Sequence, residues 1–352
     1  IMSTLETNSI GKYSGNNVSV DDALNLKSYT TTQRDALTSV AGDIIYNSTD
    51  SKPQYYDGSA WQDFQDTPDL LIEYIVIAGG GAGGSDRGGG GGAGGYRSSV
   101  LNESSGGGNS AESRIIGATG TNYTVTIGAG GTQNSNEAAG GNGNDTTFYN
   151  ITSTKGGGGG SASGISGTNA ARSGGSGGGG GGSGSGSGAS GTANQGFSGA
   201  NGSTNTGGGG GGAGASATNR NGADGVQTSI SGSGVYYAGG GGGGHDDRSE
   251  SDPGTGGQGG GGQGGDTGSI ASGEQNASPG TTNTGGGGGG GGVDPTTSAQ
   301  RGKNGGSGVV LLRYPDAYTL TGAGGATVTE FASITDYKYA SVTTSGTVSF
   351  SE

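Results

Sequence analysis

Six uninterrupted runs of five or more glycines constrain this chain more than any other feature. They cover residues 88–92, 156–160, 177–182, 207–212, 239–244 and 285–292. Glycine supplies 94 of the 352 residues, whereas ordinary usage is about 7 %. Helices are excluded, because each glycine costs about 1 kcal/mol relative to alanine in a helix. A pleated sheet is disfavoured, because glycine offers it no side chain to pack.

The remaining regular state is the extended threefold helix, with about 3 residues per turn and a rise of about 3.1 Å. Such helices have no internal hydrogen bonds, but without Cβ atoms several can lie side by side and exchange backbone hydrogen bonds. The alternative is a flexible Gly/Ser linker. Because the pure runs drift into a Gly-Ser repeat only at Gly182–Gly188, packed rods are favoured. Collagen is excluded, since there is no Gly-X-Y period and only 6 prolines are present.

Composition excludes several classes of partner. Hydrophobic residues make up 26 % of the chain, and the formal net charge is −13. An acidic chain argues against nucleic acid as a partner, since nucleic-acid binding needs basic patches. No apolar run is long enough to predict membrane insertion. The first residues lack the basic and apolar regions of a secretory signal, and without cysteine there is no disulfide framework.

Residues 1–69 are poor in glycine and predict a separate N-terminal attachment and oligomerisation segment. Thr30–Leu37 can cap and start one helical turn, and residues 42–64 predict a short strand followed by a hairpin. Five aromatic residues predict a small aromatic core: Tyr46, Tyr55, Tyr56, Trp61 and Phe64. A segment with so few apolar residues is hard to stabilise as a monomer, and oligomerisation is therefore expected.

The apolar strands Ile72–Ala78 and Val309–Arg313 flank the glycine-rich region and predict one small sheet at its base. Six excursions from this base are expected, giving about twelve rods. The outward and return segments are 79–84 and 88–95, 128–131 and 140–143, 156–160 and 174–182, 207–212 and 222–225, 239–244 and 256–265, and 285–292 and 305–308. The predicted fold is mostly irregular and β with very little α-helix. It comprises a polyglycine-II sandwich over residues 70–315 and a β meander over residues 316–352.

The far ends of these excursions are the candidate binding surface, because exposed loops on a rigid scaffold commonly carry function. Their polar residues suit sugars or polar protein loops. The candidate receptor-binding residues are Asp86, Arg87, Asn134, Asn136, Glu137, Asn169, Arg172, Asn219, Arg220, His245, Asp246, Asp247, Arg248, Glu250, Asp294, Gln300 and Arg301.

No motif predicts catalysis, a metal site or a cofactor. Gly79–Gly84 matches G-x-G-x-x-G after a strand, but a dinucleotide site also needs a helix to follow, and the sequence after Gly84 cannot form one. His245, Asp246, Asp247, Glu250 and Asp252 form the densest ligand-like cluster. Their spacing fits no calcium loop and favours a solvated turn. With a single histidine, a zinc site or a Ser-His-Asp triad is disfavoured.

The N-terminal segment resembles bacteriophage tail-fibre modules, through Tyr29–Leu37, Gly42–Asn47 and Tyr55–Trp61. The opening, with Met2–Leu5 and Ala23–Lys27, is similar to fibre proteins of marine phages. From residue 70 onward the chain resembles glycine-rich receptor-recognition domains of phage adhesins. The segments that carry this resemblance are Ile72–Gly81, Gly95–Arg97, Tyr123–Gly131, Val235–Gly240 and Gly305–Pro315.

The resemblance implies a non-enzymatic tail-fibre adhesin, located on the virion and therefore extracellular, which binds a host cell-surface receptor through loops at the tip of a polyglycine-II sandwich. It also implies other virion fibre or tail proteins as partners and a homotrimer. Three alternatives stay open: a head fibre or capsid decoration protein, a bacterial surface or ice-binding glycine-helix protein, and a depolymerase. An ice-binding protein would need a flat threonine-bearing face, and a depolymerase would need paired carboxylates in a groove.

Overall fold

The computed structural model describes residues 25–64, 69–134, 138–162, 169–182, 186–246, 252–266, 276–294, 298–299 and 301–352. Two compact units divide the chain, Ile1–Pro68 and Asp69–Glu352. Strands and irregular extended segments dominate both units, and very little helix is present among the described residues. The predicted fold class is therefore confirmed.

The first unit contains one short helix and one four-stranded sheet. The elements are β1 (Ser28–Tyr29), α1 (Thr31–Asp35), β2 (Ile44–Asn47), β3 (Lys52–Tyr56) and β4 (Trp61–Asp63), with sheet order β1-β2-β3-β4. The expected helical turn is confirmed and begins with a capping box. Thr30 Oγ1 accepts a hydrogen bond from the Gln33 N–H at 3.3 Å, and Gln33 Oε1 accepts one from the Thr30 N–H at 2.9 Å.

The expected aromatic core of this unit is wrong. Ile45, Asn47 and Gln54 are the buried residues, and the Asn47 side chain donates to Gln54 Oε1 at 3.0 Å. Tyr46, Tyr55 and Phe64 are instead among its exposed large side chains. Strand alternation explains the difference, because residues on either side of Ile45 point to the opposite face of the sheet. A polar network therefore fills the covered face beside the half-buried Tyr56 and Trp61, and Tyr46, Tyr55 and Phe64 lie on the open face.

The second unit has two sheets at its base. Its elements are β5 (Leu71–Ile77), β6 (Tyr96–Ser98), a 3-10 turn (Gly106–Gly108), β7 (Ile115–Ile116), β8 (Tyr123–Thr126), β9 (Thr146–Phe148), β10 (Ile151–Ser153), β11 (Val226–Thr228), β12 (Val235–Tyr237), β13 (Val293–Asp294), β14 (Ser298–Ala299), β15 (Val309–Pro315), β16 (Thr319–Ala323), β17 (Val328–Ile334), β18 (Tyr337–Val342) and β19 (Gly346–Ser351). The sheet orders are β10-β9-β8-β19-β16 and β17-β18-β15-β5-β6, with β7 also paired to β5. β11 pairs with β12, and β13 with β14.

Strands β5 and β15 lie at the centre of this base. They pair antiparallel from Val309 opposite Ile77 to Arg313 opposite Glu73, as the sequence predicts for one shared sheet. Side chains from both sheets, including Tyr74, Tyr314 and Phe350, form one buried cluster. The other face of β5 and β15 is covered as well, by a cluster that contains Ile230 of the β11–β12 hairpin. The chain after Pro315 supplies β16 to β19 of these same two sheets.

Extended segments rise from this base to a common far end, which we call the distal end. We call each segment a rod. Among the described residues there are eighteen, numbered along the chain: 78–84, 88–95, 128–134, 138–144, 154–161, 169–173, 176–182, 186–191, 197–202, 207–212, 215–219, 221–225, 238–244, 254–257, 261–266, 276–281, 285–292 and 302–308.

Rod 2 shows the hydrogen-bonding rule of the bundle. Its N–H groups donate in a period of three: Gly88, Gly91 and Gly94 to carbonyls of rod 17, Gly89 and Gly92 to rod 5, and Gly90 and Ala93 to rod 10. Its carbonyls accept from rods 13, 1 and 7. Rod 2 thus has six hydrogen-bonded neighbours, as an extended threefold helix in a hexagonal array requires.

The six glycine runs occupy the interior of this array. They form rod 2 itself and five of its six neighbours, rods 5, 7, 10, 13 and 17. The sixth neighbour is rod 1, whose sequence is also mostly glycine. A Cβ atom on Gly90 would overlap the carbonyl group of Gly241, which is backbone and has no room to move. Interior positions are therefore closed to side chains.

The path of the rods differs from the expectation of about twelve. Residues 174–182 are not one return: the chain comes back along 169–173, turns at the base, and leaves again along 176–182. Likewise 254–257 returns and 261–266 leaves. Rod 10 runs towards the base rather than away from it, since the Gly207 N–H donates to Gly244 at the distal end. Rods 6, 8, 9, 11 and 16 match none of the expected segments, and they carry serine, alanine, threonine or asparagine, so no glycine run marks them.

We expect Gly90→Ala to lower the melting temperature strongly. Overpacking a close-packed interior costs about 1–3 kcal/mol, and here the obstruction is backbone. Gly234→Ala in the exposed turn between β11 and β12 is the control, because its Cβ would meet only the flexible side chain of Gln227. Calorimetry or circular dichroism on both variants checks the difference. Equal melting temperatures would contradict the close-packed interior.

We also expect the base to lose stability in alkali. Burial raises the pKa of Tyr74, Tyr96, Tyr314 and Tyr339 above the usual value of 10.0. Glu112 and Glu330 accept hydrogen bonds from Tyr74 and Tyr314 and raise their pKa further. Between pH 10 and the raised pKa values the unfolded chain binds fewer protons than the folded chain, so the free energy of unfolding falls as the pH rises through this window. Denaturant titrations from pH 8 to 12, with tyrosinate absorbance, measure this. A flat profile above pH 10 would contradict the burial of these phenols.

Candidate functional site: the distal end of the rod bundle

The turn between rods 1 and 2 lies at the centre of the distal end. Asp86 and Arg87 both adopt left-handed backbone conformations, with φ of 52° and 47°. Their carbonyl groups accept hydrogen bonds from neighbouring rods, Asp86 from the Ala162 N–H at 3.1 Å and Arg87 from the Gly182 N–H at 2.9 Å. These bonds hold a conformation that non-glycine residues rarely adopt.

The side chains of this turn are engaged with each other. Arg87 Nε donates to Asp86 Oδ1 at 3.2 Å, and the Arg87 guanidinium lies 3.7 Å from an Asp246 carboxylate oxygen. Asp86 is 9 % exposed and Asp246 is 1 % exposed. The structure thus brings together three of the candidate residues, but it uses them to close the end of the bundle.

His245 and Asp246 do not lie in an exposed turn, which is where the sequence analysis places them. His245 is 1 % exposed, and its N–H donates to Gly265 at 2.9 Å, while its carbonyl accepts from Val293. The Asp246 N–H donates to Asn205 at 2.9 Å. Both residues lie against the ends of rods 10, 13, 15 and 17, and both are buried.

The remaining candidates are spread over the bundle. Asn134 Nδ2 donates to Ala139 at 2.6 Å across the turn between rods 3 and 4. Asn169 lies at the distal end, where its carbonyl accepts from Ser161. Arg172 is exposed on the side of the bundle, below the distal end, and Arg301 is exposed next to rod 18. Predictions that lie outside the described residues are Asn136, Glu137, Asp247, Arg248, Glu250, Gln300 and the side chain of Asp294.

A polar groove opens at the distal end beside rod 10. Its volume is ≈ 470 Å³. The residues that line it are Asn201, Ser203, Thr206, Gly207, Thr218, Asn219, Arg220 and Asn221. All the lining side chains are amides, hydroxyls or the guanidinium of Arg220. We call this cavity the distal groove.

Two turns of different height create the distal groove. The turn between rods 9 and 10 lies at the level of Gly207, where the Ser203 N–H donates to the Thr206 carbonyl at 2.8 Å. The turn between rods 11 and 12 is lower, because the Asn219 carbonyl accepts from Gly209, two residues further down rod 10. At a rise of about 3.1 Å per residue, the step is about 6 Å. The shorter pair of rods therefore leaves a recess beside the taller pair.

Sequence reasoning found only Asn219 and Arg220 of this groove. It missed Asn201, Ser203, Thr206, Thr218 and Asn221. Asn201, Ser203 and Thr206 were missed because residues 207–212 were predicted to run away from the base. That direction would place residues 201–206 at the base instead of at the distal end. A signal was present, since Asn201–Thr206 is as polar and as poor in apolar residues as the other turns assigned to the distal end.

In the described part of the chain, no three His, Asp or Glu side chains come together in a way that would hold a metal ion. No helix in that part has the length and apolar character needed to cross a bilayer.

Comparison with known proteins gives one match. The model of a family described as a glycine-rich domain matches residues 62–315. No curated protein and no solved structure matches the chain.

Proposed function

Because this chain belongs to the glycine-rich domain family over residues 62–315, we propose that its rod bundle is the binding head of a non-enzymatic virion adhesin. In this proposal the chain is part of a bacteriophage tail fibre and binds a host cell-surface receptor, a glycan or an outer-membrane protein, through its distal end. The tail-fibre assignment depends on the resemblance of the N-terminal and glycine-rich segments to phage fibre proteins.

One observation carries the proposal: the bundle places a polar, stepped surface at the end opposite its hydrophobic base. The interior rods donate and accept hydrogen bonds along their length, so the distal turns stand on a stiff support. Ser203, Thr218 and Asn219 are exposed there, and their neighbours in the distal groove are polar. A preformed surface of this kind pays little ordering entropy on binding.

The first unit supports an oligomeric fibre. The open face of its sheet exposes Ile44 by 47 %, Tyr46 by 37 %, Tyr55 by 37 % and Phe64 by 41 %. The rings of Tyr55 and Phe64 are 5.3 Å apart, so these side chains form one patch. A module this small rarely has enough core to be stable alone. Further copies of the same chain, in a homotrimer, are the proposed cover for this patch.

We expect the purified chain to bind host cells and to block adsorption of the phage that carries it. Ser203→Trp combined with Thr218→Trp places two large rings in the distal groove and is expected to abolish both effects. The matched control combines Ser231→Trp with Ser233→Trp, in the turn between β11 and β12 at the base end. Flow cytometry with labelled protein and plaque-based adsorption counts measure both effects. The proposal is wrong if wild-type protein leaves adsorption unchanged, or if the base variant loses as much as the distal one.

We expect Ile44→Ser combined with Tyr55→Ser to convert a trimer into monomers, because it removes the centre of the apolar patch. The control combines Leu101→Ser with Ile116→Ser, which removes residues exposed by 60 % and 81 % in the second unit. Sedimentation velocity gives the mass of each species. A monomeric wild-type chain, or a trimer that survives the first change, would refute this role of the sheet face.

A further inference from the structure

We propose that the distal groove binds an anionic saccharide, meaning a sugar that carries a carboxylate or phosphate group. This inference rests on the proposed function, since it names the class of receptor group that the binding head recognises. The groove has hydrogen-bonding capacity left over after its own turns are satisfied.

Three asparagine side chains in the groove have already used their oxygen atoms. Asn201 Oδ1 accepts from the Gly188 N–H at 3.0 Å, Asn219 Oδ1 from the Asn221 N–H at 2.8 Å, and Asn221 Oδ1 from the Thr255 N–H at 3.1 Å. A backbone N–H is only a donor, so its partner must be the amide oxygen, which fixes the orientation of each carboxamide. What these residues offer a ligand is therefore chiefly the two N–H donors of each NH₂ group, since each oxygen has already accepted one hydrogen bond.

Arg220 adds a charged donor to the same wall. No hydrogen bond or ion pair of its guanidinium occurs among the described residues, in contrast to Arg87, Arg97 and Arg313, which each face a carboxylate. Its backbone is fixed, because the Arg220 carbonyl accepts from the Gly243 N–H at 2.8 Å. A planar guanidinium whose N–H groups have no partner among the described residues matches the paired oxygens of a carboxylate or phosphate.

The groove is thus rich in donors and carries a positive charge, within a chain whose formal net charge is −13. Long-range electrostatics of such a chain repel anions, so an anion held here is held by local contacts. Hydroxyl groups of Ser203, Thr206 and Thr218 line the rest of the groove and can exchange hydrogen bonds with sugar hydroxyls. None of the described residues that line it is aromatic, so they offer no ring for stacking on a neutral sugar.

Calorimetry and biolayer interferometry on the full chain test this assignment with defined probes. The carboxylate arm compares oligogalacturonate with its methyl ester, which keeps the sugar framework and removes the charge. The phosphate arm compares mannose 6-phosphate with mannose. We expect the wild-type chain to bind at least one anionic probe at least tenfold more tightly than its neutral counterpart, and the arm that responds identifies the anion.

The variants separate the groove from general charge effects. Arg220→Gln removes the cation, and Asn219→Asp keeps the oxygen that holds the turn but replaces the NH₂ donor with a negative oxygen. Each is expected to weaken binding of the anionic probe at least tenfold while the melting temperature stays within a few degrees of wild type. Arg172→Gln removes the same charge from the side of the bundle and is expected to leave binding unchanged.

Three results would overturn the inference: no binding of any anionic probe, equal affinity for charged and neutral probes, or an equal loss in Arg172→Gln and Arg220→Gln. If the chain blocks phage adsorption but any of these results is found, the anionic-saccharide assignment fails and the adhesin stands. If the anionic probe binds as expected but the chain neither binds host cells nor affects adsorption, the adhesin proposal fails instead.

Discussion

The fold depends on hydrogen bonds between backbones that approach each other without side chains in between. In rod 2, successive N–H groups point in three directions, and the carbonyl groups point in three others. No direction is left for a side chain, so every residue of such a rod must be glycine or sit where a methyl group finds space. The six glycine runs coincide with rod 2 and five of its neighbours because these rods lie in the interior of the array, as does the mostly glycine rod 1, which also has six hydrogen-bonded neighbours. Ordering so many glycines is entropically costly, and the nearly complete set of backbone hydrogen bonds offsets that cost.

A lattice of this kind buries almost no apolar side chains, which explains why the chain also carries a hydrophobic base. The two sheets concentrate Tyr74, Tyr314, Phe350 and the aliphatic residues of β5 and β15 in two clusters. Rods leave and return through this base, so the hydrophobic clusters fix where each rod begins. The overall hydrophobic content of 26 % is low, but it is localised where it stabilises the whole bundle.

The sequence was sufficient to predict the interior of this structure and the centre of its base. Glycine runs mark enclosed rods, and β5 and β15 are apolar strands that join such runs. The path was harder to predict for a physical reason: an achiral glycine run reads the same in both directions and contains no signal for its polarity. Outer rods such as 169–173 and 186–191 were missed because their outward-facing positions accept serine, alanine and asparagine. Because residues 207–212 were predicted to run away from the base, Asn201, Ser203 and Thr206 were placed at the base instead of at the distal end. His245 and Asp246 were predicted to be exposed, but they are buried at the ends of rods.

The same lattice explains how a binding surface can exist without weakening the fold. The distal turns are attached to the rods mainly through backbone carbonyl groups, those of Asp86, Arg87, Asn219 and Arg220 among them. Because a carbonyl group is common to every residue type, this part of the attachment does not depend on which side chains the turns carry, and the side-chain oxygens of Asn201 and Asn221 add hydrogen bonds to neighbouring rods. The shape of the distal surface depends on the height at which each pair of rods ends. Its chemistry depends on the side chains that the turns between those rods carry. The distal groove illustrates both effects, since a difference of two residues between neighbouring turns opens the recess and the residues of those turns set its donor-rich character.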